Sequence, residues 1–270
     1  MMSTTLQLSK PYGEVTAQIA GSDDPVVLVH GVGMQSAAWG PQIEHLSSTH
    51  RVVAVDMPGH GGSDPLSKDA QLPDFVDWLK AVLRALDLGP VALAGHSMGA
   101  LIASGLAITH PDLVTRVALL NGVHRRTDTA RAAVIARADE IRGGGYDLET
   151  PLTRWFGQSA EDQAARAQVS NWLSDVDLDG YATAYNAFAR GDATYADRMG
   201  EIMCPMLALT GDGDQNSTPE MAKAMAEEAV NGRSVVIEGH RHMVNLTAPT
   251  LVNAALSNWL NAPIVGDRNV

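Results

Sequence analysis

Ser97 stands in Gly95-His96-Ser97-Met98-Gly99, where the apolar run "VALA" passes directly into "GALIASGLAITHP". A strand that turns into a helix with no loop between them crowds the junction residue. Small neighbours relieve that crowding and leave the junction side chain projecting from the end of the sheet. This is the geometry of a nucleophile elbow. A serine hydroxyl is a weak nucleophile near neutral pH, so it needs a base to take its proton and a third group to orient the base. Two later stretches offer both: "EGHRHMVNL" supplies His240 and His242, and "TGDGDQNSTP" supplies Asp212 and Asp214. The chain order serine, aspartate, histidine is the one that accompanies a G-x-S-x-G elbow. Negative charge developing on an attacked carbonyl needs backbone N–H donors, and Met98, directly after the serine, provides one. The chemistry in view is nucleophilic attack with an acyl-enzyme on Ser97.

Such side chains meet only if several strand ends lie together. Six short runs have strand character: "PVVLVHG", "RVVAVDM", "PVALAGH", "RVALLNG", "PMLALTG" and "RSVVIEG". Their continuous apolar character predicts parallel strands covered on both faces, hence an α/β architecture. Helices are expected between them near residues 41–46, 72–86, 98–109, 219–229 and 248–260, with Pro111 as a stop signal. From about His124 to Arg198 the rhythm breaks. That stretch is alanine-rich and charged, punctuated by Gly143 to Gly145 and by "DLDG" at Asp177 to Gly180. It reads as a helical insertion over the carboxyl ends of the strands, where open α/β sheets bind ligands. The predicted organisation is a core of residues 1–123 and 199–270 interrupted by a cap of residues 124–198.

Composition narrows the partners. Thirty-one acidic against 19 basic residues give a formal net charge of -12, which argues against nucleic acid or an anionic membrane surface. A small-molecule substrate is expected, with monomer and homo-oligomer left open. The single cysteine, Cys204, cannot form an internal disulfide and reads as a core residue ahead of a strand. The N-terminal stretch has no basic region followed by an apolar one, and no run of about 18 apolar residues occurs, so a cytoplasmic protein is expected. Two histidines without further clustered ligands do not make a metal site. Neither G-x-x-x-x-G-K-[ST] nor a G-x-G-x-x-G at a strand–helix junction is present. No metal and no cofactor are expected.

The segments "HGVGMQSAAW", "DMPGHGGSD", "GHSMG", "GDGD" and "HRHM" together resemble the serine α/β-hydrolases, most closely the 3-oxoadipate enol-lactonases and related small-molecule esterases. The resemblance implies the α/β-hydrolase fold, with a mostly parallel central sheet, helices on both faces and an inserted helical cap. The family's G-x-x-D pattern falls on Gly211 and Asp214, and its G-x-x-H-M pattern on Gly239, His242 and Met243. Asp214 and His242 are thereby favoured over Asp212 and His240. Some relatives carry the acid after the strand ending near Leu120, but here Asn121 follows and cannot ionise. The HG-x-G segment points to Val32 as the second oxyanion donor, with Gly33 as the alternative. It gives His30 a loop-shaping role, and His60 and His96 read as turn and packing residues, His96 also as a possible substrate contact. A cap stretch similar to "RWF" makes Arg154 a candidate carboxylate clamp and Trp155 a candidate apolar wall. Most other arginines of the insertion are expected to pair with acidic neighbours on exposed helices. Metallo-lactonases of another kind carry an HxHxDH run that is absent, and haloalkane dehalogenases of this fold use an aspartate nucleophile where this chain has Ser97. The implied activity is cleavage of a small ester or lactone, one bearing a carboxylate among the options. C–C bond hydrolysis of the meta-cleavage type, or a related lyase or transferase, is the alternative on the same three residues. A non-catalytic hydrolase-like receptor is the third.

Overall fold

All six apolar runs form strands of one eight-stranded sheet in the computed structural model, which describes residues 2–263. The strands are β1 (Met2–Gln7), β2 (Glu14–Ala20), β3 (Pro25–Val29), β4 (Arg51–Val55), β5 (Val91–His96), β6 (Val114–Leu120), β7 (Met206–Gly211) and β8 (Gly232–Ile237). They lie in the order β1-β2-β4-β3-β5-β6-β7-β8. From β4 to β8 every neighbouring pair is parallel. The first two strands, which the sequence did not announce, form an antiparallel hairpin added beside β4. Coverage on both faces holds for β5, buried at every residue, but not for β8, which is mostly exposed because it closes one edge of the sheet.

Alternation along each strand divides the core in two. Val27, Val29, Val53 and Val55 face the layer built by the helices Leu72–Ala85, Met98–Thr109 and Pro219–Glu228. Val26, Leu28, Val52 and Ala54 face the opposite layer, which holds the helices Gly40–Leu46 and Pro249–Leu260. The helix Met98–Thr109 is buried from Met98 to Ile108, as expected for a helix that is apolar all round. No helix among the described residues is long and apolar enough to cross a membrane.

Between β6 and β7 the expected helical stretch holds the α-helices Asp128–Arg142, Glu149–Trp155, Ala160–Ser174 and Leu178–Gly191, then a short 3-10 turn at Ala196–Glu201. Three of them start at side-chain caps: Thr127, Ser159 and Asp177 accept from the amides of Ala130, Asp162 and Gly180. Ile141, Leu152, Phe156, Val169, Leu173 and Tyr181 pack with Met34 and Met243, so these helices sit on the loops that follow β3 and β8. The chain runs from β3 to β4 on one side and returns to β5 on the other. The carboxyl ends of β3 and β5 therefore flank a topological switch point, the usual ligand position in an open α/β sheet.

Candidate active site

Ser97 follows β5 with φ +54° and ψ -114°, a backbone state that costs a non-glycine residue of order 1–3 kcal/mol. The surroundings enforce it. Ser97 N–H donates to the Leu120 carbonyl at 2.9 Å, and the backbone packs too closely for side chains at the flanking positions. A Cβ on Gly95 would run into the Gly99 carbonyl, and one on Gly99 into the Val29 carbonyl. Here the glycines serve close approach of β5 and β3 to the helix start; φ is left-handed at the serine itself.

Asp214 and His242 come from the loops after β7 and β8 and are joined by a 2.8 Å hydrogen bond from His242 Nδ1 to Asp214 Oδ2. Both are buried. The proton on Nδ1 leaves Nε2 of the neutral ring as an acceptor. Asp214 is saturated with donors: Asn121 Nδ2 reaches Oδ2 at 2.8 Å, and the Asn216 and Ser217 amides reach Oδ1 at 2.8 and 3.1 Å. Burial pushes its pKa up, but the attraction of His242 and the hydrogen bonds from His242, Asn121 and Asn216 outweigh that and hold the carboxyl below its ordinary value. His96 Nε2 donates to the His242 carbonyl at 2.9 Å and fixes the histidine loop from beneath. Ser97 and His242 line one cavity. Among the described residues no hydrogen bond joins them; catalytic hydrogen bonds of this kind tighten when substrate binds. The alternatives are occupied elsewhere: Asp212 is exposed and accepts from the Gly239 amide, and His240 Nδ1 bonds the Thr247 hydroxyl.

The loop after β3 is held in shape by three buried groups. His30 Nε2 accepts from the Met57 amide at 2.9 Å, so its Nδ1 donates to the Gly31 carbonyl at 2.7 Å. Asp56 accepts from the amides of Ser36 and Gly62. His60 Nε2 accepts from the Gly33 amide at 2.9 Å, which removes Gly33 as a free donor. The Val32 amide has no partner among the described residues and its residue lines the cavity beside Ser97. Burial pulls the pKa of His30 down to about 4, and those of His60 and His96 to about 3. All three are neutral and structural at neutral pH.

The cavity of about 450 Å³ continues from Ser97 into the helical insertion. Trp155 lies over His242, ring centroids 5.6 Å apart and planes 29° from parallel. Arg154 lines the rim, exposed, with only a 3.5 Å contact to Asn216 Oδ1 and no ion pair among the described residues. The expected surface pairs are present at Arg125, Arg131, Arg137, Arg166, Arg190 and Arg198. The sequence did not single out two further arginines that line the cavity, Arg126 and Arg137, nor the ring wall of Tyr181, Tyr185 and Phe188. One signal was available: Arg126 follows β6 by six residues, and the carboxyl ends of strands are where sites form.

With this geometry in hand, three likenesses are informative. A relative that is 55% identical over 262 residues, covering 96% of this chain and 98% of its own, is the (E)-2-((N-methylformamido)methylene)succinate hydrolase of Acinetobacter baylyi. A thermophilic esterase from Thermogutta terrifontis, solved with malate bound, is 25% identical with a TM-score of 0.86, over 96% of this chain and 98% of that one. The enol-lactonase from Burkholderia xenovorans LB400 shares the fold at 24% identity and a TM-score of 0.85, over 93% and 100% of the two chains. The family model described as alpha/beta hydrolase fold matches residues 24–249, a span that runs from the start of β3 past both loops of the Asp214 and His242 pair. The chain belongs to the alpha/beta hydrolase fold family.

Proposed function

We propose that the protein hydrolyses the acyl bond of a small dicarboxylate, and that (E)-2-((N-methylformamido)methylene)succinate is a substrate. The observation that carries the proposal is a cavity lined by Ser97, His242 and three arginines in a chain of net charge -12. An anion is repelled by the molecule as a whole, so cations concentrated at one cavity are there to receive one. The name of the 55% identical relative supplies the substrate, a tertiary formamide whose nitrogen is conjugated to an alkene that bears one carboxylate directly and the other through a methylene. The malate carried by the structurally similar esterase is likewise a small dicarboxylate.

In this scheme Ser97 Oγ adds to the formyl carbon while His242 Nε2 takes its proton and Asp214 holds the imidazolium. The amides of Val32 and Met98 receive the oxyanion. Collapse breaks the formyl C–N bond, the electron pair moves onto the conjugated nitrogen, and His242 returns the proton to the leaving group. Sharing of the nitrogen lone pair with the alkene and its carboxylate weakens the amide resonance and eases that departure. Water activated by His242 then releases formate and regenerates Ser97. Ester or lactone cleavage, the activity suggested by the enol-lactonase resemblance, would use the same steps with oxygen as the leaving atom.

The test is formate release from the formamide, run beside its dimethyl ester, a neutral aryl ester and a ring-fission diketone. Turnover of the dianion at least about thirtyfold better than of its diester is expected, given about 2–5 kcal/mol for desolvated charge pairs. Ser97→Ala should abolish both turnover and labelling by a fluorophosphonate. Preferred cleavage of the diketone would move the protein to C–C chemistry, and labelling that survived the substitution would remove Ser97 from the mechanism.

A further inference from the structure

The insertion contains a buried charge cluster beside the cavity. Asp192, 1% exposed, is the only carboxylate paired with Arg126 among the described residues, at 3.4 Å, and it is also held by Arg131 at 3.0 Å. Two guanidinium groups thus share one buried carboxylate, and Arg131 is also paired with the exposed Asp128 at 3.5 Å. Arg126 is 4% exposed in its side chain. Its Nη1 donates to the carbonyls of Phe188 and Ala189, at the end of the helix Leu178–Gly191, and its guanidinium carbon lies 4.4 Å from the centroid of the Phe188 ring. These contacts keep the group charged and fix its plane. Burial drags its pKa down and Asp192 opposes the drop. Yet Nη2, with two N–H donors, is buried without any partner among the described residues, an arrangement that costs free energy unless an acceptor arrives. Arg126 lines the cavity that also holds Ser97.

We infer that Arg126 is a specificity-determining residue that binds one carboxylate of a dicarboxylate substrate at the inner wall of the cavity, while Arg154 binds the other at the rim. The inference rests on the dicarboxylate reading above and adds a requirement: both carboxylates are recognised, by different arginines. A guanidinium held rigidly by Phe188, two carbonyls and Asp192 loses little freedom when it binds. An exposed one such as Arg154 loses more, so the buried residue contributes the greater selectivity.

The experiment compares wild type, Arg126→Met, Arg126→Lys and Arg154→Met on the diacid formamide and on its two monoamide analogues, each with a single carboxylate made neutral. Arg126→Met should lower kcat/KM for the diacid at least about thirtyfold. The loss should shrink to less than tenfold on one analogue, the one that already lacks the carboxylate Arg126 holds. Arg154→Met should spare the other analogue. Arg126→Lys should recover only part of the loss, because a single ammonium cannot reproduce the planar fork. Equal losses on all three substrates, or no loss at all, would overturn the assignment. If wild type does not cleave the formamide, the activity is wrong but the site is still testable: itaconate, an unreactive C5 dicarboxylate, should slow fluorophosphonate labelling of Ser97 in wild type. It should protect Arg126→Met at least tenfold less well. Equal protection would refute the carboxylate role independently of turnover.

Discussion

At the scale of single residues, Asp214 and Asp212 show how little separates a carboxylate held against a histidine from one that faces solvent. They lie two positions apart in one loop, yet Asp214 is buried against His242 and Asn121 while Asp212 is exposed and caps the Gly239 amide. Asp214→Asn should therefore lower turnover on the order of ~10⁴-fold with the fold intact, as happens when a triad aspartate is neutralised. Asp212→Asn should change turnover less than tenfold. Steady-state kinetics on both variants decides, and the reverse ranking would exchange their roles. That Asp214 and not Asp212 pairs with His242 was anticipated by the resemblance, whose G-x-x-D pattern falls on Gly211 and Asp214. Arg126 was not, because what makes it unusual is an unmatched N–H beside residues 62 to 66 positions further along. No local pattern encodes a missing partner.

At the scale of elements, the continuous apolar runs of β3 to β7 announced themselves because both faces of those strands are covered. The hairpin of β1 and β2 did not: β1 runs between exposed and partly buried residues, β2 buries only Val15 and Ala17, and threonine and glutamine dilute the apolar signal. The same principle dictates where the sheet is sensitive. The helix after Ser97 approaches β3 so closely that a methyl group on Gly99 would strike the carbonyls of Val29 and His30. Backbone cannot move aside as a side chain can, so Gly99→Ala should destabilise by about 1–3 kcal/mol or more, the usual cost of overpacking. Gly89, which has open space around its Cβ position and no left-handed φ, is the control. Gly89→Ala should be neutral or slightly stabilising by restricting the unfolded chain. Thermal unfolding of the pair reads the difference, and equal midpoints would mean that the elbow tolerates spreading of β3 from β5.

At the scale of the whole molecule, three neutral buried histidines couple stability to pH. Burial holds His30 near a pKa of about 4 and His60 and His96 near about 3, against 6.5 for the exposed group. Above pH 6.5 neither the folded nor the unfolded chain protonates them, and stability is complete. Below it the unfolded chain takes up three protons that the folded chain refuses until it nears their lowered pKa values. Stability should therefore fall as pH drops from 6.5 towards 4, with a slope of up to about 4 kcal/mol per pH unit, three times the 1.36 kcal/mol linkage of one group. Asp214, whose pKa is lowered, adds a loss in the same direction only at more acid pH. Denaturant melts at pH 7, 6 and 5 test the slope, which should shrink by about a third in His96→Asn; a flat profile would mean that water reaches these rings. The position of the insertion has a consequence of another kind. Its ends leave from β6 and β7, which are adjacent and in register at Leu120 and Leu209, while Ser97, Asp214 and His242 all lie outside it. Arg126, Asp192, Arg154 and Trp155 all lie inside. Under the proposed function, the carboxylate-binding arginines and the reacting residues are carried by separate stretches of one chain, so substitutions in the first can change what is bound and leave the second untouched.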